Sequence, residues 1–269
     1  MAGLLGLGNS LSTASTKRSG VGKGSSQHQP VELASRLLPK LLDDEFLEKF
    51  NTLNVLDFGS AYGPSLELFN QFSCRLCVLD VAESLLDWSR DLAKREEMPS
   101  SKQMEHELGA ILAELRGVQF DLLFFWDTLN YLHPQALGAF ANVLKRGVSA
   151  DFRGHGYLLH KRGVEQKLRS LGLKDRTAIA LRGETDVPLF AHNRKLINDS
   201  LAPDLLIDHG VLHGDGRLEY MMVNGRRPQR GARSARATRE KSSREPVVSG
   251  RRVELTADSE ESSAKNLIF

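Results

Sequence analysis

Leu53-Asn54-Val55-Leu56-Asp57-Phe58-Gly59-Ser60-Ala61-Tyr62-Gly63 is the stretch on which the reading of this chain turns. An apolar run ends in an acid, Asp57. Gly59 and Gly63 then frame a tight turn ahead of Pro64-Ser65-Leu66-Glu67-Leu68-Phe69, which has the pattern of a helix. Glycines at a strand-to-helix turn accept unusual backbone angles and let a ligand come close to the main chain. The next apolar run, Leu76-Cys77-Val78-Leu79, closes with Asp80, 17 positions beyond Gly63. An acid at the tip of a second parallel strand is where the hydroxyls of a nucleoside ribose are held. The two features together predict a nucleoside-type cofactor.

Working outward, strands and helices alternate. The first strand is predicted over 54–58 and its helix over 64–72, the second strand over 75–80 and its helix over 83–95. Ser100 or Ser101 caps a further helix, striped by Met104, Leu108, Ile111, Leu112 and Leu115. Phe120-Asp121-Leu122-Leu123-Phe124-Phe125-Trp126 has almost no polar alternation, as expected of a strand covered on both faces. Pro134 opens a helix to about Lys145, a short strand spans Gly156 to His160, and residues 163–172 are expected to be helical. Leu205–Leu212 and Arg217–Val223 flank His213-Gly214-Asp215-Gly216, a hairpin signal. The fold class predicted is α/β: a Rossmann-like, doubly wound, mostly parallel sheet with a reversed strand in a C-terminal hairpin.

Charge divides the chain. Residues 31–224 carry 22 basic and 28 acidic side chains, whereas residues 225–252 carry ten basic residues against Glu240 and Glu245. Residues 1–29 are rich in Ser, Gly and Thr and are expected to be disordered; residues 30–224 form the domain; residues 225–269 form a disordered basic tail with an acidic end. Arg230, Arg233, Arg236 and Arg239 recur without aromatics between them, so RNA or another polyanion would be met through phosphates and not by base stacking. A solubilising tail is the alternative. No apolar run reaches the ~20 residues that span a bilayer, so no membrane partner is expected. The N-terminus makes a poor signal peptide, and two cysteines, Cys74 and Cys77, supply no disulfide framework. A cytoplasmic location is therefore expected. The C-x-x-C spacing of that pair enters a strand and not a helix, so it is taken as structural, and no metal site is predicted.

These parts, in this order, resemble the class I S-adenosylmethionine-dependent methyltransferases. Val55–Gly63 is similar to their first motif, Leu79-Asp80 to the ribose-binding acid, Phe120–Asp127 to the fourth-strand motif and the terminal hairpin to their reversed last strand. The resemblance spans about residues 31–223. It implies S-adenosylmethionine as cofactor, held by Asp57, Gly59, Ser60, Ala61, Gly63, Asp80, Val81, Trp126 and Asp127, and a methyl acceptor of unknown identity. Trp126 suits a sulfonium, because an aromatic face attracts a cation. Backbone amides after Asp57 are expected to face the methionine end of the cofactor.

Two departures stand out. Ala61 occupies a position where the family commonly has glycine, and residues 96–119 read as helix where the family has its third strand, leaving Glu105–Leu108 as the candidate adenine segment. The acceptor pocket is expected from residues 30–50 and 176–203, including His192, Asn193 and Arg194; His133 could serve as a general base, but a surface histidine ahead of Pro134 is the favoured reading. A catalytically inactive methyltransferase-like scaffold is the alternative function. A nicotinamide-dependent oxidoreductase is disfavoured, because Gly-x-Gly-x-x-Gly is missing.

Overall fold

A computed structural model describes residues 30–160 and 165–226. The chain enters through a strand, β1 (Val31–Ala34), and two single-turn helices, α1 (Leu38–Leu41) and α2 (Asp44–Leu47). β2 (Leu53–Asp57) passes through the glycine turn into α3 (Gly63–Phe69), and β3 (Cys74–Val78) leads to α4 (Ala82–Lys94). Next come α5 (Ser101–Ile111), β4 (Phe120–Trp126), α6 (Leu137–Leu144) and β5 (Val148–Leu159). A hairpin follows, β6 (Lys167–Leu173) and β7 (Ala178–Asp186), then α7 (Arg194–Leu201), β8 (Leu205–Leu212) and β9 (Arg217–Asn224).

The main sheet has six strands in the order β3-β2-β4-β5-β9-β8. β3, β2, β4 and β5 run parallel, while β9 runs antiparallel to both β5 and β8. This is the mostly parallel sheet with one reversed strand expected from the sequence. β4 lies at its centre, and all seven of its residues are buried. Alternation across the pleat sends Leu123 and Phe125 to one face, where they join the cluster formed with α4, α5 and α6. Leu122, Phe124 and Trp126 go to the other, against α1, α2, α3 and the β6–β7 hairpin.

Local signals explain several boundaries. Ser100 and Gln103 form a reciprocal capping box at the start of α5. Pro39 sits in the first turn of α1, where its missing N–H costs nothing, so it starts a helix and does not kink one. Between β4 and β3 the chain is helical, and among the described residues no strand pairs with the outer edge of β3.

Other expectations fail. Leu33, Ala34, Leu37, Leu38, Leu41, Leu42 and Phe46 recur at helical spacing and predict a helix kinked or divided at Pro39, but the chain forms β1 followed by α1 and α2. Over the described part of 163–172 the chain is not helical but forms β6. The fifth strand is 12 residues long and begins well before Gly156. Together β1, β7 and β6 make a second, three-stranded antiparallel sheet that the sequence reading lacked. Its hairpin turns at Asp175, whose carboxylate accepts from the Thr177 and Ala178 amides at 2.7 and 2.9 Å, a local device that was passed over. β1 pairs with β7 across roughly 150 residues, a contact no local pattern announces. Of the segments expected to be disordered, 1–29 and 225–269, all but Gly225 and Arg226 lie outside the described residues.

Candidate functional site

A cavity of about 580 Å³ opens over the carboxyl ends of β2, β3 and β4. Gly59 and Ser60 of the glycine turn, Asp80 and Glu83 after β3, and Trp126 and Tyr131 after β4 line its base. Arg169, Ser170, Glu184 and Thr185 of the β6–β7 hairpin form its roof. Open parallel sheets bind ligands at this edge, and the volume is that of a small-molecule site.

The glycine turn is held from both sides. Below, Asp57 is buried and its Oδ1 accepts from the Gly59 amide at 2.8 Å and from the Trp126 indole N–H at 2.5 Å. Burial raises the Asp57 carboxyl to about 6, and those two hydrogen bonds offset it only in part. Trp126 lies so close to the turn that a Cβ on Gly59 would fall 2.9 Å from its Nε1, so only glycine fits there. Trp126 reaches this position with φ of 47°, the only non-glycine residue among those described in the left-handed region. Such a conformation costs energy and persists where the surroundings impose it; here the indole is stacked on Phe124 at 5.3 Å and bonded to Asp57.

Above, Arg182 of β7 donates to the carbonyls of Ser60 (3.0 Å) and Ala61 (3.1 Å) and to the Ser60 hydroxyl (2.5 Å). Its guanidinium lies over the Tyr62 ring at 5.0 Å. Tyr62 also packs on Gly172 of β6, where a Cβ would meet the ring at 2.7 Å. A second arginine ties down the roof. Arg169 gives Nε and Nη2 to the two oxygens of Asp127 at 2.6 and 2.7 Å, with both side chains nearly fully buried. Burial opposes the charge on Arg169, but attraction to Asp127 prevails and raises its pKa. Asn130 closes the end of β4 onto β5, donating to the Tyr157 carbonyl at 2.9 Å and accepting from the Leu159 amide at 2.9 Å.

Of the predicted site residues, Gly59, Ser60, Asp80 and Trp126 line the cavity. Asp57 lies beneath it, bonded to the turn. Ala61, Gly63 and Val81 are outside the lining: Gly63 opens α3, and Val81 is buried at the start of α4. Asp127 is committed to Arg169. The amide of Gly59 donates to Asp57 Oδ1.

The expected acceptor residues are elsewhere too. His192 is buried against the Leu132 carbonyl, Asn193 caps α7, and Arg194 donates to the carbonyls of Ile207 and Asp208. His133 lies outside the lining, accepting from the Gln135 amide and packing on Phe190. Glu105 is on α5, bonded by Asn142, and lines no part of this cavity. Arg169 and Ser170 were missed, whereas Glu184 and Thr185 lie within 176–203, one of the two segments expected to form the acceptor pocket. Only 176–203 contributes part of the roof, through residues 183–185. Cys74 and Cys77 are unpaired thiols within β3.

No family model matches the chain, and no curated protein does. Solved structures similar to it include a Burkholderia thailandensis 1,6-didemethyltoxoflavin-N1-methyltransferase with bound 1,6-didemethyltoxoflavin and S-adenosylhomocysteine. It shares 16% identity over 64% of this chain and 70% of that one, with a TM-score of 0.35. A DhpI–SAH complex shares 17% over 70% and 84% at 0.38. A methyltransferase from Clostridium acetobutylicum shares 11% over 67% and 90% at 0.38. Likenesses this distant add nothing to what the strand order already establishes.

Proposed function

We propose that the cavity binds S-adenosylmethionine and that the chain is a methyltransferase. The observation that carries this reading is the convergence of the glycine turn, Asp80 and Trp126 on one cavity at the carboxyl edge of the parallel strands. Asp80 stands where a ribose would be held. Glu83, in the first turn of α4, adds a second carboxylate, and Trp126 in the lining would suit a sulfonium. S-adenosylmethionine, when bound, supplies an activated methyl group. The protein's part is then alignment and exclusion of water, which a roof tied down at Arg169 and Arg182 serves.

A noncatalytic module is the second reading. It is favoured by Arg182, which already occupies the turn carbonyls of Ser60 and Ala61, and by the loss of the Gly59 amide to Asp57.

Thermal unfolding with S-adenosylmethionine and S-adenosylhomocysteine tests the cofactor. Ligand at about a hundredfold its dissociation constant stabilises the fold by about 2.7 kcal/mol, a midpoint rise on the order of 5 to 10 °C for a domain of this size. The rise is expected in the parent and is expected to vanish in Asp80→Ala. No shift with either ligand in a cooperatively folding protein would remove the methyltransferase reading.

A further inference from the structure

The described residues hold a second cavity, of about 600 Å³, that shares no lining residue with the first. Gly117 and Gly147 in its wall lead into β4 and β5, so it opens at the amino edge of the parallel strands, opposite the candidate site. One wall is α5, where Lys102, Glu105, His106 and Gly109 recur at helical spacing and line the space. Leu112 and Leu115, with Val143 and Leu144 at the end of α6, supply its apolar lining.

Its charge runs against that of the domain. Residues 31–224 carry 22 basic and 28 acidic side chains, whereas the lining carries Lys102, Arg116 and Arg146 against Glu105 alone. That one carboxylate is already engaged: Asn142 donates to it at 2.8 Å and the Ser101 hydroxyl at 3.3 Å, with Arg146 4.0 Å away. Glu107, on the same helix, is taken by Trp88 and Arg95 and lines none of the cavity. Arg116 is held by a single hydrogen bond, from Nη2 to the Gly109 carbonyl at 3.1 Å, which leaves the rest of its guanidinium to donate.

Gly109 is a second, independent sign. It stands in the last turn of α5, and glycine ranks below every residue but proline in a helix. No neighbour demands it, since a Cβ there would meet nothing within 4 Å. The packing of the fold does not account for this glycine; room for a ligand beside Arg116 does.

We propose that this cavity binds a small aliphatic anion, with its carboxylate or phosphate at Arg116 and its hydrocarbon body on Leu112, Leu115, Val143 and Leu144. A guanidinium with free N–H groups meets such oxygens in charge-assisted hydrogen bonds. A lining of leucine and valine, without phenylalanine, tyrosine or tryptophan, takes a hydrocarbon and offers no platform for a nucleobase. Lys102 lies about 10 Å farther along α5, at 1.5 Å per residue, and adds a weaker attraction.

The test is calorimetric titration of the full chain with octanoate, octyl phosphate and the neutral isostere octanamide, all below micelle-forming concentrations. At least one of the anions is expected to bind about tenfold more tightly than octanamide, the worth of a hydrogen bond to a charged group, and the tighter of the two names the headgroup. Arg116→Gln is expected to abolish that preference, and Lys102→Gln to reduce it by about twofold, as for an exposed charge. Gly109→Leu is expected to fold, because its side chain enters open space, and to weaken the anion by at least about tenfold. Thermal melts followed by circular dichroism verify that each variant is folded. Equal binding of the anions and octanamide, or no binding of either anion, overturns the proposal. So does binding that survives Gly109→Leu, as it would if the basic segment 225–252 captured the anion, or capture by phosphatidylglycerol vesicles without binding of the free anions.

Discussion

Two buried carboxylates are treated in opposite ways. Asp57 under the glycine turn and Glu219 on β9 are both almost completely inaccessible. Asp57 has two donors, both neutral, and burial wins: its carboxyl is raised to about 6. Burial pushes Glu219 up as well. However, hydrogen bonding and charge attraction from His155, with further hydrogen bonds from Ser35 and His213, outweigh it and hold the carboxyl down at about 2. His155 Nε2 and His213 Nε2 each lie 2.9 Å from Glu219, the Ser35 hydroxyl donates to it, and the Arg36 and Leu37 amides add contacts at 3.2 and 3.3 Å. Burial alone therefore does not set a carboxylate's state; the number and charge of its donors do. The satisfied acid joins β1 and α1 to the main sheet. The poorly satisfied one lies beneath the candidate site, where perturbed groups concentrate.

The largest effect should come from breaking the satisfied cluster. Glu219→Ala strands two histidines, a serine and two amides, and is expected to cost about 4 kcal/mol in urea denaturation at neutral pH. A loss below about 1 kcal/mol would show that the cluster is not what joins the two sheets. Glu219→Gln, which keeps an acceptor but no charge, is expected to cost less than Glu219→Ala and so separates charge from hydrogen bonding.

Asp57 should show the opposite pH dependence. Its folded-state value lies above its ordinary 3.8, so its contribution is complete below about 3.8 and is lost as pH rises through about 6. Relative to Asp57→Asn, the parent is expected to lose about 3 kcal/mol between pH 4 and pH 7, because each pH unit between the ordinary and the folded-state value is worth about 1.36 kcal/mol. Parallel stability curves for the two proteins over that range would refute the raised value. Glu219 runs the other way. Its contribution is present above the ordinary 4.5 and is lost as pH falls toward about 2.

The smallest effect on stability belongs to Arg182. Its side chain is only partly buried, and Arg182→Ala is expected to cost about 1 to 2 kcal/mol for the lost hydrogen bonds. Its larger consequence is on the glycine turn. If Arg182 positions the turn for the cofactor, S-adenosylhomocysteine affinity falls in Arg182→Ala. If it occupies the cofactor's place, as in the noncatalytic reading, affinity rises. Titration with S-adenosylhomocysteine decides between the two.

Much of the main sheet was legible because its strands are short apolar runs next to their own helices. Val55–Asp57, Leu76–Val78 and the unbroken Phe120–Trp126 each announce a buried strand, and the turn at His213–Gly216 announces the final hairpin. The second sheet was not legible. Val31–Ala34 is only four residues, and it finds its partner on β7. Lys167–Leu173 alternates too weakly to show a strand until β7 lies beside it. The same limit applied to the site. Gly59, Ser60, Asp80 and Trp126 carry signals in their own neighbourhoods, whereas Arg169 and Glu184 enter the cavity only because the hairpin folds over it.

What the sequence by itself determined is therefore the parallel sheet, its glycine turn and the acid at the tip of β3, since each follows from a pattern within about ten residues. What only the tertiary structure decided is which of those groups remain free to meet a ligand. The Gly59 amide and Asp127, both predicted to bind the cofactor, are satisfied by Asp57 and Arg169, and the turn carbonyls by Arg182. The reason is physical: a buried polar group takes whatever partner the fold brings within about 3 Å, and for Asp127 and the turn carbonyls that partner comes from a hairpin far away along the chain.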